Sequence, residues 1–275
     1  MLSSLGLFSS SDGISWTPIA GLDWTGNAVA YGNGKWIAVG VGATYASSDG
    51  ISWTPIGALG GWTGNAVAYG NGKWIAVGIG SSMMYVSSDN GINWTSVNNV
   101  FTIRGRAVTY ANGKWVAVGD STDKRVYVST DDGTTWTAWN IPTSLQNNGF
   151  LPRCVAYGNG KWIIGGENGY SPTVFMSDDN SSTWYGVGGI FPSTAGLDNY
   201  GCYAVAYANN TWVLVGRGTS LGGSIRISID DASTWYKDTS VGNSAPRTSV
   251  AYGNGLWVVG GSSPVFVRTI NPKCV

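Results

Sequence analysis

AVAYGNGKWIAVG, residues 28–40, decides the fold because the chain writes it six times. It returns unchanged at 66–78, then as AVTYANGKWVAVG at 107–119, CVAYGNGKWIIGG at 154–166, AVAYANNTWVLVG at 204–216 and SVAYGNGLWVVGG at 249–261. Alternating apolar residues run into Asn-Gly and resume beyond it. That pair supplies the positive φ angles of a two-residue turn, so each copy predicts a β-hairpin. Trp36, Trp74, Trp115, Trp162, Trp212 and Trp257 recur 38 to 50 residues apart, a period suited to a repeat of four short strands. Rings this large and regular are expected to fill the space between neighbouring sheets, burying about 150–250 Å² each.

A second phrase alternates with the first and predicts the other hairpin of each repeat. Its fullest forms are SSDNGINW, residues 87–94, and STDDGTTW, residues 129–136. Ser and Asp oxygens can accept backbone N–H groups inside the turn, while Gly tolerates the unusual φ. The closing Trp16, Trp53, Trp94, Trp136, Trp184 and Trp235 then anchor the turns to the sheets. The Ser-x-Asp-x-Gly-x-x-Trp pattern resembles the Asp-box of the bacterial-neuraminidase-type (BNR) repeat family. Asp89 and Asp131 sit in full matches; Asp179 and Asp230 keep the frame without the Gly; Asp12 and Asp49 belong to boxes one residue shorter, whose turns must differ. The resemblance implies structural boxes lying away from any ligand face. It also implies a sialidase-like scaffold, but the Arg-Ile-Pro segment and the catalytic set of sialidases have no counterpart here.

Four strands per repeat, repeated six times, predict an all-β protein: a six-bladed β-propeller of four-stranded antiparallel blades forming one domain over residues 1–275. The chain opens on a third-and-fourth-strand hairpin, residues 6–19, and closes on a first-and-second-strand hairpin, residues 249–261. Joining them would complete a sixth blade and close the ring. Residues 265–269 also read as a third strand, and the sequence does not choose between the two candidates.

Composition narrows the chemistry. Fifteen basic and fifteen acidic residues give no electrostatic case for nucleic acid. No stretch reads as a secretion signal or a membrane span, so membrane insertion is not expected and the compartment is left open. The absence of histidine removes the commonest general base and metal ligand, and no cofactor or metal is expected. Cys154, Cys202 and Cys274 read as reduced thiols in small-residue positions, with one bridge as the alternative. Glu167, the one glutamate, reads as a solvated loop carboxylate. Pairing it with Asp120, Asp198 or Asp23 would satisfy glycosidase arithmetic, but no motif supports it, so an enzyme is not expected.

Function is therefore sought in what does not repeat. Asn27, Asn65, Arg106, Arg153 and Tyr203 stand just before successive first strands, with Arg247 before Thr248. Trp24, Trp62, Trp139, Phe150, Phe191 and Tyr200 lie in adjoining connections. In a propeller these residues would gather at the mouth of the channel, opposite the Asp-boxes. Arginine grips carboxylates bidentately, and aromatic faces beside polar donors suit a sugar. The leading expectation is a lectin-like, carbohydrate-binding module for a glycan or small polar ligand. The competing one is a structural or display protein whose partner is another protein of an assembly.

Overall fold

The Asn-Gly pairs form the turns that their chemistry favours. Asn33 and Gly34 have φ of 48° and 72°, Asn71 and Gly72 of 44° and 79°, and the fifth copy manages with Asn209 and Asn210 at 48° and 55°. These left-handed pairs match the twist of the strands they join. The computed structural model describes residues 2–3, 6–22, 24–57, 61–122, 126–139, 149–167, 173–178, 183–191, 201–217, 225–238, 246–261 and 266–268. Asp23, Asp179, Asp198, Tyr200 and Cys274 lie outside them.

The described strands fall into six sheets, all antiparallel. The first comprises β1 (Leu2–Ser3), β2 (Gly6–Ser9) and β3 (Thr17–Pro18). Repeat one is β4 (Gly26–Gly32), β5 (Lys35–Gly40), β6 (Thr44–Ser47) and β7 (Thr54–Pro55). Repeat two is β8 (Thr63–Gly70), β9 (Lys73–Ile79), β10 (Met84–Ser87) and β11 (Thr95–Ser96). Repeat three is β12 (Arg104–Ala111), β13 (Lys114–Asp120), β14 (Val126–Ser129) and β15 (Thr137–Ala138). Repeat four, β16 (Leu151–Gly158), β17 (Lys161–Glu167), β18 (Val174–Ser177) and β19 (Tyr185–Val187), joins repeat five in one eight-stranded sheet. Repeat five is β20 (Gly201–Ala208), β21 (Thr211–Arg217), β22 (Ile225–Ser228) and β23 (Tyr236–Lys237). Repeat six is β24 (Arg247–Gly253), β25 (Leu256–Gly261) and β26 (Phe266–Arg268).

Six equal four-stranded blades closed by shared termini are not what forms. The N-terminal hairpin takes its own leader as a third strand, with Leu2 opposite Leu7. The C-terminal hairpin takes the tail, with Val258 opposite Val267, so the two ends belong to different sheets. Repeats four and five fuse through a pairing of Glu167 with Gly201. A Cβ on Gly201 would stand 2.5 Å from the Gly166 carbonyl oxygen, so glycine alone permits that approach. Thr63 holds the equivalent place between repeats one and two, where only an isolated bridge to Val41 forms.

The chain divides into two compact units, Met1–Asn140 and Ile141–Val275. Within each, the core lies between consecutive repeats. Ile37 and Val39 of repeat one pack with Val67, Trp74 and Ala76 of repeat two. Ile75 and Val77 pack with Val108, Trp115 and Ala117. In the second unit Ile163 meets Trp212 and Leu214, and Val213 and Val215 meet Trp257 and Val259. Trp74, Trp115, Trp162 and Trp212 are fully buried; at about 25 cal/mol per Å², each contributes roughly 4–6 kcal/mol before entropy. Every such Trp faces the Tyr paired with it across the hairpin, ring centroids 4.8–5.1 Å apart. Glycine ends several first strands because the next repeat's Tyr occupies the Cβ position: Tyr69 at Gly32, Tyr110 at Gly70, Tyr207 at Gly158.

The Asp-box turns form as their residues suggest. The Ser87 hydroxyl donates to Asp89, whose Oδ1 accepts from the Ile92 and Asn93 N–H groups, and Trp94 Nε1 donates to the Gly91 carbonyl. In the short boxes the Gly N–H reaches the Ser oxygen three residues back, Gly13 to Ser10 and Gly50 to Ser47; in the long ones it is four. One left-handed residue suffices in the short turn, Gly13 or Gly50. Two are needed in the long one, as at Asn90–Gly91 and Asp132–Gly133, or Asp231–Ala232 where Gly is missing. Among the described residues no helix is long and apolar enough to cross a membrane.

Candidate functional site

Each first strand carries one extra residue. The pairing of β4 with β5 slips between Gly26 and Ala28, and the same slip recurs in all six repeats. The residues expelled from the ladder are Asn27, Asn65, Arg106, Arg153, Tyr203 and Thr248. The residue at this position varies between otherwise similar copies. A bulge re-aims a side chain and is a common device next to sites. They therefore lie inside the strands and not ahead of them, where the sequence pattern had put them.

In the first unit the bulge asparagines stitch one repeat to the next. Asn27 Nδ2 donates to the Gly64 carbonyl and Asn65 Nδ2 to the Gly105 carbonyl, both at 2.8 Å. Arg106 instead turns to the end of its own second strand. Its Nη2 and Nε stand 2.8 and 3.2 Å from Asp120 Oδ2, and Arg104 Nε lies 3.2 Å from the same oxygen. Asp120 is buried, with 7% exposure, so a charged partner is what makes that burial tolerable. Val41 and Ile79 hold the Asp120 position in repeats one and two and are exposed. Both flank Thr63, bridged to one and paired with the other, in one short row.

The second unit repeats the ion-pair arrangement. Arg153 Nη2 lies 2.5 Å from Glu167 Oε2. Glu167 ends β17, half-buried in this pair, and is not the solvated loop carboxylate expected. Tyr203 is half-buried nearby; burial and the Glu167 charge push its hydroxyl pKa up, against Arg217 and Arg153. Arg247 is buried, with 2% exposure, and burial lowers its pKa. The carboxylate partners Asp120 and Glu167 went unrecognised in the sequence. The signal was there: both follow the second-strand tryptophan by five residues in the two repeats whose bulge is Arg.

Four of the aromatic candidates pack inward. Trp24 donates its Nε1–H to the Val41 carbonyl and meets Tyr45 edge-on at 5.0 Å. Trp62 meets Tyr85 at 5.4 Å, and Phe150 meets Phe175 at 4.7 Å. Trp24, Trp62, Phe150 and Phe191 are all buried. Gly40, Gly78 and Gly166 lie at or next to the ends of their second strands, where a Cβ would strike the Thr25, Thr63 and Leu151 carbonyl oxygens and the Trp24, Trp62 and Phe150 rings. Trp139 is half-buried, its backbone N–H donating to the Val126 carbonyl. Arg226 lies over the Phe191 ring at 5.4 Å.

The Asp-box carboxylates are held ionised. Asp12 is lowered to about 2 by the N–H groups of Ser15 and Ile14, and Asp89 to about 2 by the N–H of Asn93 and the Ser87 hydroxyl. The Oδ1 atoms of Asp12 and Asp89 each accept from two backbone N–H groups of their own turn, which suits a structural role. Among the described residues no group of three or more His, Cys, Asp or Glu side chains converges as metal ligands.

No family model matches the chain, and no curated protein does. Membership of the Asp-box neuraminidase-type family, which the turns suggested, is therefore not supported. The box is a local hydrogen-bonding device, and having it does not define a lineage. The similarities lie with solved structures. YCF48 bound to a D1 peptide matches with a TM-score of 0.66 at 19% identity, covering 94% of this chain and 84% of that one. YCF48 from Cyanidioschyzon merolae matches at 0.52 and 15%, covering 91% and 96%. A GH74 xyloglucanase from Xanthomonas campestris matches at 0.70 and 14%, covering 98% of this chain but 49% of the enzyme. Identities this low establish a shared all-β repeat fold. The two YCF48 matches span most of both chains, whereas the xyloglucanase match takes in about half of the enzyme.

Proposed function

We propose that this chain is a non-catalytic protein-recognition module that reads a segment of a partner through the bulge residues of its first strands. The observation carrying this reading is the bulge itself: one scaffold position, kept in all six repeats, presents Asn, Asn, Arg, Arg, Tyr and Thr. A fixed backbone with varied side chains is how recognition surfaces are built on rigid supports. YCF48, a protein of similar fold, has been solved bound to a D1 peptide, which adds support. In the second unit Arg153, Glu167, Tyr203 and Arg217 form the reading row; in the first, Arg104, Arg106 and Asp120 do, beside exposed Val41 and Ile79. A glycan reading is weaker because the rings that would stack on sugars, Trp24 and Trp62, are buried.

The test is selection of a random peptide display library on the immobilised full chain, with a glycan array in parallel. Enriched peptides should lose at least tenfold in affinity on Arg153→Ala or Tyr203→Ala and keep it on Asp131→Asn at an Asp-box. Absence of enrichment, or binding indifferent to the bulge variants, would refute the proposal. Glycan binding alone would reinstate the carbohydrate reading.

A further inference from the structure

Two cysteines meet inside the second unit. Cys154 on β16 directly follows the bulge residue Arg153, and Cys202 on β20 directly precedes the bulge residue Tyr203. Both thiols are free, their sulfurs stand 3.7 Å apart, and the residues are 7% and 0% exposed. No other repeat has cysteine at either place. The equivalents of Cys154 are Ala28, Ala66, Ala107, Ala204 and Ser249; those of Cys202 are Gly26, Gly64, Gly105, Pro152 and Arg247.

A third substitution makes room for the pair. The alanines equivalent to Cys154 pair across the hairpin with Val39, Val77, Val118 and Val215, whereas Cys154 pairs with Gly165. A Cβ on Gly165 would stand 2.4 Å from Cys202 Sγ and 2.7 Å from Cys154 Sγ. Both sulfurs thus share the space that a valine fills elsewhere, with no side chain between them.

We propose that Cys154 and Cys202 are a redox-active pair that closes into a disulfide joining β16 to β20. Oxidation would tie the two strands beneath the Arg153–Glu167–Tyr203 row. The Cys154 thiolate, the more exposed of the two, attacks one sulfur of a small-molecule disulfide and expels one thiolate. Cys202 then loses its proton and displaces the second thiol from the mixed disulfide. The protein gives up two S–H hydrogens and gains one S–S bond, while the reagent is reduced to two thiols. The sulfurs must close from 3.7 Å to about 2.05 Å. Burial and the neighbouring Cys154 raise the Cys202 thiol above its ordinary range, so the second displacement should be slow at neutral pH and faster in mild alkali. Nothing in this step depends on the peptide-binding reading.

The experiment uses the reduced full chain, incubated under native conditions with glutathione disulfide, quenched with an alkylating agent and digested for mass spectrometry. The expected result is loss of two of the chain's three thiols, a linked pair of peptides containing Cys154 and Cys202, and reversal by dithiothreitol. The oxidised chain should also unfold at higher denaturant than the reduced one, since the bond closes a span of 48 residues. Cys154→Ala, which restores the residue of four other repeats, should abolish the link. Both thiols still alkylatable after native treatment, a link made through Cys274, or a persistent glutathione adduct on Cys154 would each overturn the proposal. Should the variant not fold, the wild-type peptide map decides alone.

Discussion

Replacing Gly165 with the valine found at its position in four other repeats should damage the protein, although that valine is the commoner residue there. The first added atom alone would stand 2.4 and 2.7 Å from the two sulfurs, and Cys202 is wholly buried with nowhere to withdraw. Overpacking of this kind costs about 1–3 kcal/mol, and the better strand propensity of valine returns up to about 1 kcal/mol. A net loss of about 1–2 kcal/mol is expected, read as a lower urea midpoint with an unchanged slope by tryptophan fluorescence. The decisive variant adds Cys154→Ala and Cys202→Gly to Gly165→Val. It recreates the arrangement around Gly105, where the glycine's missing Cβ would lie 2.5 Å from Val77. This triple variant should recover to within about 1 kcal/mol of the wild type, a coupling expected only of residues sharing one space. If Gly165→Val is as stable as the wild type, or the triple variant no better than the single, the three-residue packing argument is wrong.

Other consequences can be measured in the same way. Asn65→Ala and Asn27→Ala should each lose about 0.5–1.5 kcal/mol, by similar amounts because their bonds are of equal length; markedly unequal urea midpoints would contradict this. Gly133→Ala should cost about 1–2 kcal/mol, since Gly133 has φ of 81° and the new methyl would press on Ile75. The chain should still fold, because Ala232 already occupies the same position at φ 66°. Asp12, Asp49, Asp89 and Asp131 have pKa values lowered to about 2. Their contribution to stability is fully present above the unfolded carboxylate value near 3.9 and is lost as pH falls through about 2. Asp131→Asn should therefore flatten the acid limb of the stability profile between about pH 4 and pH 2, and an unaltered limb would count against it.

The hairpins, their turns and the intersheet tryptophans were legible because Asn-Gly and a bulky ring at fixed spacing leave few alternatives. Closure was not. The two end hairpins look complementary in sequence, but two residues of leader, Leu2 and Ser3, and the Phe266–Arg268 tail each satisfy a free edge locally. Fusion of repeats four and five turned on one glycine, Gly201, that no periodicity flags. The bulge was hidden as well. An inserted residue such as Asn27 leaves the apolar alternation intact on either side and merely shifts its phase. Recognising Arg106 and Arg153 as paired rather than free required reading across the hairpin to Asp120 and Glu167, since the partners are 14 residues apart.

Contacts tie these repeats to their neighbours along the chain. Asn27 reaches Gly64, Lys35 reaches the Asn90 carbonyl, Lys73 reaches the Asp132 carbonyl, and Tyr69 and Tyr110 cover Gly32 and Gly70. Each module is thus finished by its successor, and a lesion registers far from where it is made. Removing the Tyr110 ring should loosen amides near Gly70, forty positions earlier, before it disturbs its own neighbours. For such a chain, a map of mutational sensitivity is to be read one module out of register with the sequence.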